Sequence, residues 1–163
     1  DVERSRGLGD VYKRQKVNIM KILVLNGPNL NLLGKRENDI YGEKSLEQVI
    51  SKLEKTAKEN DCVVESFQSN AEHELINKIQ DAKTSGYSAI IINPGAFTHT
   101  SIAMRDAFLA TKIPFYEVHI TDIYKREKFR HNSFFSDIAE KSFIGEGVDG
   151  YENALKEVIG NFR

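Results

Sequence analysis

A carboxylate and an imidazole stand two residues apart in the segment EVH, at Glu117 and His119. The surrounding apolar run, IPFYEVHI, predicts a strand, in which residues i and i+2 project to the same side. A carboxylate beside an imidazole fixes its tautomer and stabilises its charged form, so the pair suits general acid catalysis. A polar pair that only completes the end of a buried strand is an equally strong alternative, because either group would be costly there without a partner.

A second candidate pair, Arg36 and Tyr41, lies in the segment NGPNLNLLGKRENDIYGE, which follows the apolar run KILVLN. A free tyrosine has a pKa near ~10 and is a poor base at neutral pH. A nearby guanidinium, which stays charged, favours the phenolate and could make it a base in a closed, partly dry site. On this segment alone, an amphipathic surface tyrosine beside a solvated arginine is the favoured interpretation.

The segment NPGAFTHTS carries possible binding groups. Pro94 and Gly95 predict a turn, and Thr98 or Thr100 is expected to cap the helix that follows. Backbone N–H groups at the start of a helix suit an anion or a hydroxyl, and His99 could donate to either. A lone histidine in such a place is more often structural, so the segment alone does not decide.

The segment YKREKFRHNS follows the EVH strand and carries Arg126, Arg130 and His131. The planar fork of Arg130 matches a carboxylate bidentately, although a solvated basic helix is the alternative. Asp106 lies two turns along the helix predicted after NPGAFTHTS. We therefore expect it at or beyond the edge of any site built by one subunit.

Strands alternate with helices from Met20 onward. Ser45 and Gln48 form a capping-box pattern at the start of the first helix, and mixed polarity places the second strand at a sheet edge. The alternation predicts an α/β fold, a flavodoxin-like doubly wound five-stranded parallel sheet with helices on both faces, whose sites lie beyond the carboxyl ends of the strands. The polar segments all follow strands. The predicted strands are residues 21–26, 62–67, 88–95, 113–120 and 141–147, and the predicted helices are residues 45–60, 71–84, 98–111 and 151–162.

Composition narrows the function further. A net charge of −1 over 163 residues gives no general attraction to nucleic acid or anionic membranes, and no apolar run reaches the ~18 residues that span a bilayer. One cysteine, Cys62, excludes an internal disulfide and a cysteine zinc cluster, and indicates a reducing cytoplasm. The histidines lack a tight ligand spacing, and no GxGxxG, Walker or GxSxG motif is present. The remaining chemistry is proton transfer without metal or cofactor on a polyhydroxylated acid, such as an elimination of water.

Residues 1–19 are treated apart from a single domain at residues 20–163. They are polar and without helical or strand periodicity, and Met20 opens the first apolar run. The stretch DVYKRQ resembles the translation of a transposon end used in preparing sequencing libraries. We therefore expect residues 1–19 to be a disordered, non-native extension, with a genuine short extension as the alternative.

Five motifs occur in one order: NGPNLNLLGKRENDIYG, NPGAFTHTSIAMRDA, EVHIT, REKFRHNS and GEGVDGY. Together they closely resemble the type II 3-dehydroquinate dehydratases of the shikimate pathway, over essentially all of residues 20–163. The resemblance implies a hydro-lyase that converts 3-dehydroquinate to 3-dehydroshikimate by anti elimination through an enolate, without cofactor or metal. It also implies a cytoplasmic homododecamer of four trimers that serves the biosynthesis of chorismate and aromatic amino acids.

The same resemblance implies a role for each candidate residue. Tyr41 would remove the C2 proton, with Arg36 favouring its phenolate, and Asn29 would hold a water on the enolate oxygen. His119, oriented by Glu117, would protonate the departing C1 hydroxyl. The substrate would be bound by side chains of Asn93, His99 and Arg130, by backbone groups of Ile120 and Thr121, and by Asp106 of a neighbouring subunit.

The resemblance makes the long polar segment a lid, which closes Arg36 and Tyr41 over the substrate and excludes water. Two positions depart from the family. Asn38 stands where proline is usual, which predicts a looser lid, and Asp122 stands where asparagine is usual. Asp122 would weaken substrate binding if it faced inward and would change little if it faced outward.

Two other interpretations compete with this enzyme. One is a flavodoxin-like module that holds FMN or a phosphorylated partner, which should carry a phosphate loop or an acidic cluster where NGPN stands. The other is an inactive relative that acts only as an assembly. The intact set of candidate side chains argues against the second, since none of the positions proposed for catalysis is altered.

Overall fold

The computed structural model describes residues 19–163. The interpretation of residues 1–19 as a non-native extension therefore lies outside the described residues, apart from Ile19. Across residues 19–163, no helix is both long and apolar enough to cross a membrane.

Within residues 19–163, five strands form one parallel sheet in the order β2-β1-β3-β4-β5. β1 lies between β2 and β3, with Asn26 opposite Asn93, and β4 pairs with β5 so that Glu117 lies opposite Ser142. This confirms the predicted flavodoxin-like α/β fold and places β2 at an edge, as its mixed polarity predicted. The strands are β1 (Met20–Asn26), β2 (Cys62–Gln68), β3 (Ala89–Asn93), β4 (Phe115–His119) and β5 (Lys141–Ile144).

The four predicted helices begin within two residues of their predicted starts, with one exception, and the short helix α1 was not predicted. The capping box is confirmed: the Ser45 hydroxyl accepts from the Gln48 N–H at 3.2 Å, and the Gln48 side chain accepts from the Ser45 N–H at 2.9 Å. The exception is the helix predicted from residue 98, which begins at Ile102. The helices are α1 (Asn38–Tyr41), α2 (Leu46–Glu59), α3 (Glu72–Ala82), α4 (Ile102–Thr111) and α5 (Asp149–Asn161).

The prediction that Thr98 or Thr100 caps α4 is wrong. The residues before α4 form a 3-10 turn at Gly95–His99. Thr98 is fully buried in this turn, and the Thr100 hydroxyl donates back to a carbonyl of the same turn at 3.4 Å. Neither hydroxyl reaches the first free N–H groups of the helix. Ser101 is the cap instead, because its hydroxyl accepts from the Met104 N–H at 3.0 Å.

Alternate residues of the central strands pack into two separate cores, one on each side of the sheet. Ile22 and Val24 of β1 pack with α2 and α5, whereas Leu23 and Leu25 pack with α3 and α4. Successive strand residues face opposite sides, so a strand covered on both faces is apolar throughout. Burying one such side chain contributes roughly 1.5–3 kcal/mol. With both faces covered by helices, polar chemistry is confined to the edges of the sheet.

The loops after β1 and β3 touch at the carboxyl edge, where the strand order reverses. A Cβ atom on Gly27 would lie 2.2 Å from the Pro94 carbonyl oxygen, so only glycine permits this approach. Gly95, with φ +59°, faces the Pro28 carbonyl oxygen, which would lie 3.1 Å from an added Cβ. The Gly27 N–H also donates to the Asn93 carbonyl at 2.8 Å. The two polar loops are therefore fixed against each other.

Within the segment predicted to be a lid, residues 34–42 form a loop, here called the lid, whose ends are glycines in the left-handed region, Gly34 at φ +83° and Gly42 at φ +86°. A Cβ on Gly34 would lie 2.8 Å from the Glu43 carbonyl oxygen, so the two ends lie side by side. With its nitrogen turned toward them, the Asn38 amide donates to the carbonyl oxygens of Gly34 at 3.2 Å and Gly42 at 3.3 Å. Asn38 thus joins the two ends of the lid.

We expect Asn38→Ala to raise the population of opened lid about fivefold, because two long hydrogen bonds together contribute roughly 1 kcal/mol. Native-state digestion with trypsin, followed by mass spectrometry, measures cleavage after Lys35 and Arg36. Asp39→Ala is the matched control, since it removes a neighbouring exposed side chain from the same short helix. Equal cleavage rates in the two variants would show that the Asn38 amide does not hold the loop.

Candidate active site

A cavity of about 220 Å³ opens at the carboxyl edge of the sheet. Its walls come from the loops after β1, β3 and β4, which is where a doubly wound fold places its sites. The lid contributes Arg36, Glu37 and Tyr41 to one side of it. Nine of the predicted site residues line this cavity: Asn29, Arg36, Tyr41, Asn93, His99, His119, Ile120, Thr121 and Arg130.

The other two predicted site residues, Glu117 and Asp106, stand outside the cavity wall. Glu117 is fully buried in β4 and reaches the cavity through His119, whose Nε2 lies 2.7 Å from a Glu117 carboxylate oxygen. The pairing predicted from the EVH spacing is therefore confirmed. Asp106 is exposed on α4, so the cavity of its own subunit forms without it.

Two opposing influences set the protonation of Glu117. Burial, the largest, raises the pKa of a carboxyl group, but hydrogen bonds from His119, Ser133 and Ser136 together outweigh it and lower the Glu117 pKa to about 2. A carboxyl group with a lowered folded pKa stabilises the fold above its unfolded pKa of about 4.5, and this stabilisation is lost as the pH falls through about 2. Glu117 is therefore ionised at neutral pH. It accepts from His119 Nε2, which leaves Nδ1 as the ring nitrogen available to the cavity.

Two guanidinium groups surround the Tyr41 side chain. Arg126 Nη1 donates to the Tyr41 hydroxyl oxygen at 2.7 Å. The guanidinium carbons of Arg36 and Arg126 lie 4.5 and 5.3 Å from the centre of the ring. Positive charge at hydrogen-bond distance favours a phenolate over a phenol. Arg36 was predicted as the partner of Tyr41, and the structure adds Arg126 as a second partner. Of the two, Arg126 donates the hydrogen bond to the Tyr41 hydroxyl oxygen.

His99 and Asn93 form a polar wall at the end of β3. His99 Nδ1 donates to the Asn132 carbonyl at 2.8 Å, which leaves Nε2 as an acceptor. Burial lowers the His99 pKa in spite of this hydrogen bond, so the ring is neutral at pH ~7. The Asn93 amide nitrogen donates to the buried Tyr151 hydroxyl at 2.9 Å, and its oxygen accepts from the Gly95 N–H at 3.2 Å. Both side chains are therefore held in fixed orientations that suit hydroxyl groups of a ligand.

The basic segment after β4 forms two short 3-10 turns, Ile123–Lys125 and Lys128–Arg130, in place of the helix considered as an alternative. Glu127 lies between its two arginines. One Glu127 carboxylate oxygen is 2.8 Å from Arg130 Nε, and the other is 3.8 Å from Arg126 Nε. The Arg130 side chain, which lines the cavity, is therefore anchored by Glu127 through Nε. This contact orients the rest of its guanidinium group for a planar anion.

Asp122, one of the departures from the resembled family, does not line the cavity. Its carboxylate accepts from the Tyr124 N–H at 3.0 Å and caps the first of the two turns. Gly145 packs against it, because an added Cβ there would lie 3.0 Å from the Asp122 Cβ. The outward alternative raised by the sequence is therefore the one the structure shows.

Sequence reasoning missed the side chains that hold the site residues in place. Ser133, Ser136 and Ser142 donate to Glu117, Tyr151 holds Asn93, and Asn70 accepts from the Asn29 N–H at 3.0 Å. Tyr151 lies in the GEGVDGY motif and Asn70 lies two residues after β2, so their places in the sequence could have identified these two. No sequence pattern marked the three serines as partners of Glu117. Among residues 19–163, no three histidine, cysteine or acidic side chains converge as they would around a metal ion.

Comparison with known proteins bears on what this cavity is. A family model described as dehydroquinase class II matches residues 20–159. A 3-dehydroquinate dehydratase of Nitrosomonas eutropha is 55% identical over 138 residues, 85% of this chain and 95% of that protein. Another, of Thioalkalivibrio sulfidiphilus, is 53% identical over 139 residues, with the same coverage of 85% and 95%.

Solved structures agree with the sequence relatives. The crystal structure of a type II dehydroquinase from Butyrivibrio crossotus matches with a TM-score of 0.84 at 43% identity, over 87% of this chain and 98% of that one. A type II dehydroquinase from Propionibacterium acnes matches with a TM-score of 0.82 at 37% identity, over 88% and 99%. The resemblance drawn from the five motifs is confirmed, and with it the prediction of an enzyme. The chain belongs to the class II dehydroquinase family, which is a family of hydro-lyases.

Proposed function

We propose that this chain removes water from 3-dehydroquinate to give 3-dehydroshikimate, by anti elimination through an enolate. One observation carries the proposal: a tyrosine held by Arg126 and a histidine held by a buried carboxylate line the same cavity. A base and an acid in one cavity are what an elimination of water requires. The relatives named 3-dehydroquinate dehydratase support this substrate, and with it a place in the shikimate pathway.

In the first step, the Tyr41 phenolate removes a proton from C2 of the substrate. The electron pair of the broken C–H bond moves toward the C3 carbonyl, which becomes an enolate. Arg126 and Arg36 favour the phenolate before the substrate reacts, since both place positive charge against it. Closure of the lid excludes water, which strengthens these charge interactions.

The enolate oxygen needs a donor while it carries negative charge. We assign this role to a water held by Asn29, which lines the cavity. The Asn29 backbone has a left-handed φ of 69°, and its N–H donates to the Asn70 side chain at 3.0 Å. A residue held in this uncommon conformation by a hydrogen bond keeps its side chain at one place on the cavity wall.

In the second step, the enolate electrons form the C1–C2 double bond and the C1–O bond breaks. His119 gives a proton from Nδ1 to the departing hydroxyl, which leaves as water. Glu117 holds the ring through Nε2 and stabilises its charged form until the transfer. Tyr41 has then gained one proton and His119 has lost one. One proton must therefore pass from the phenol to the imidazole before the next turnover.

The remaining cavity residues are assigned to substrate binding. His99 Nε2 and the Asn93 amide face substrate hydroxyl groups, since both are fixed in orientation by bonds on their other side. Arg130 pairs with the substrate carboxylate, together with backbone groups of Ile120 and Thr121. This placement sets C1, which bears the carboxylate, beside the end of β4 and therefore beside His119.

Asp106 belongs to this site only if a second subunit brings it there. It lies on the exposed face of α4 between Ile102 and Leu109, which are 57% and 48% exposed. Residues at i, i+4 and i+7 share one side of a helix, and exposed apolar side chains around a carboxylate mark a contact surface. We assign this face to another copy of the chain, within a dodecamer of trimers, and Asp106 to the neighbouring cavity.

Purified protein with 3-dehydroquinate should develop the ultraviolet absorbance of the conjugated product, with EDTA present. Tyr41→Phe should lower kcat about 10³-fold, because it removes the base and keeps the ring. Tyr124→Phe is the matched control, since this tyrosine is 55% exposed and lies outside the cavity wall. No absorbance from folded wild type would overturn the proposed activity. A near-normal rate in Tyr41→Phe would remove Tyr41 as the base.

Arg126→Met should lower kcat by about 10- to 100-fold at neutral pH, because a hydrogen bond from a charged donor contributes roughly 1.5–3 kcal/mol. The control is Lys125→Met, which removes a neighbouring exposed positive charge. Equal losses in both variants would mean that only the local charge matters, and not the contact with Tyr41.

Asp106→Ala should weaken substrate binding, and mixing it with Tyr41→Phe should restore activity. A mixed assembly contains sites that combine Tyr41 from one variant with Asp106 from the other, about a quarter of all sites at equal mixing. The measurement is the rate after the two proteins have been dissociated and reassembled together, against each reassembled alone. A mixture no more active than the sum of its parts would contradict a shared site.

A further inference from the structure

Glu117 is 0% exposed, yet its carboxylate accepts four hydrogen bonds. One oxygen accepts from the Ser136 hydroxyl at 2.5 Å and the Ser142 hydroxyl at 2.7 Å. The other accepts from the Ser133 hydroxyl at 2.5 Å and from His119 Nε2 at 2.7 Å. Three of the four donors are therefore uncharged serines, and the reaction described above gives them no role.

These three serines, the serine cage, come from separate parts of the chain. Ser142 lies on β5 directly opposite Glu117. Ser133 and Ser136 lie in the segment that leads to β5. The Ser133 oxygen also accepts from the backbone N–H groups of Phe135 at 3.1 Å and Ser136 at 3.2 Å. Because that oxygen already accepts two bonds, its own proton is directed to Glu117.

Few charged groups lie near Glu117. Among residues 19–163, its ion-pair partner is His119 alone. His99, in the turn after β3, and Asp137, next to Ser136, lie near enough for their charges to interact with it. Asp137 is itself paired with Arg105 of α4 at 2.5 Å. A buried carboxylate without a permanent cation stays ionised only if neutral donors surround it.

We propose that Ser133, Ser136 and Ser142 are positioning residues, which keep the Glu117 carboxylate ionised and in one orientation so that it presents a single acceptor site to His119. The inference rests on the proposed role of His119 as the acid. A lysine or arginine in place of the serines would neutralise Glu117 permanently and weaken its hold on a charged imidazole. Hydroxyl dipoles stabilise the carboxylate without cancelling its charge.

The serine cage also determines which proton of His119 moves. A carboxylate that already accepts three hydroxyl protons is a weak base, so the proton on His119 Nε2 stays on the ring. The proton given to the departing hydroxyl is then the one on Nδ1, which is the nitrogen available to the cavity. Without the cage, Glu117 could take up the Nε2 proton or turn away, and the acid would lose its fixed direction.

The test is the double variant Ser136→Ala/Ser142→Ala, which spares Ser133 because that hydroxyl also holds the backbone turn. We expect kcat to fall about tenfold with KM within about twofold of wild type, since the acid is weakened and no substrate contact is lost. Ser136→Thr/Ser142→Thr keeps both hydroxyls and should recover most of the lost rate. Ser66→Ala, at an exposed serine of β2, is the control and should match wild type.

A second measurement needs no substrate: urea unfolding midpoints of wild type and the double alanine variant, compared from pH ~7 to pH ~3 at one protein concentration. The stabilisation from ionised Glu117 is present above its unfolded pKa of about 4.5 and is lost as the pH falls through about 2. The difference between the two midpoints should therefore be full at neutral pH and shrink below pH ~4.5. A simple loss of packing would give a difference that does not change with pH.

The two measurements separate failure of this inference from failure of the proposed function. A midpoint difference that is constant with pH, together with an unchanged kcat, would overturn the role of the serine cage. A wild type that is folded but inactive would overturn the proposed reaction, while the pH dependence of the midpoints would still report on the cage. A loss of kcat that threonine does not recover would also count against the hydroxyls as the active groups.

Discussion

The buried negative charge of Glu117 is the constraint on which the rest of the site depends. An ionised carboxylate inside a covered sheet must be surrounded by donors, and these come from β4 itself, from β5 and from the segment between them. The register of β5 against β4 is therefore coupled to a single charge, because Ser142 must lie opposite Glu117. The last strand of the sheet thus supports the Glu117 carboxylate although none of its residues lines the cavity.

The two side chains proposed to react, Tyr41 and His119, have neighbours of opposite charge. Positive charge from Arg36 and Arg126 lies against Tyr41, which the proposed reaction uses as an anion. Uncharged dipoles and one carboxylate support His119, which must both gain and lose positive charge. A base that works as an anion benefits from a permanent cation, whereas an acid that cycles between two charges needs a counter-charge of constant size. One cavity holds both, because the loops after β1 and β4 reach the same edge of the sheet.

Apolar periodicity was enough to predict the five strands, the helices between them and the edge at which the polar segments meet, because in a doubly wound sheet these follow from which residues are buried. The contact between Glu117 and His119 was predictable because residues two apart in a strand project to the same side. Contacts set by tertiary register were not predictable in this way: Arg126 reaches Tyr41 across 85 positions of sequence, and Ser142 meets Glu117 only through strand pairing. The start of α4 was mispredicted because Thr98, a residue type that favours caps, is buried inside a turn.

The two departures from the family pattern act on the chain around the cavity and not on its chemistry. The Asp122 carboxylate caps a turn and does not line the cavity, so it adds no charge to the cavity wall. Asn38 is a different kind of constraint from the proline that the family resemblance leads one to expect at this position. Proline restricts one residue in every state of the lid, whereas the Asn38 amide joins two carbonyls that are neighbours only while the loop keeps its shape. A side chain from the middle of the lid thus joins its two end glycines, and this link is lost when the loop changes shape.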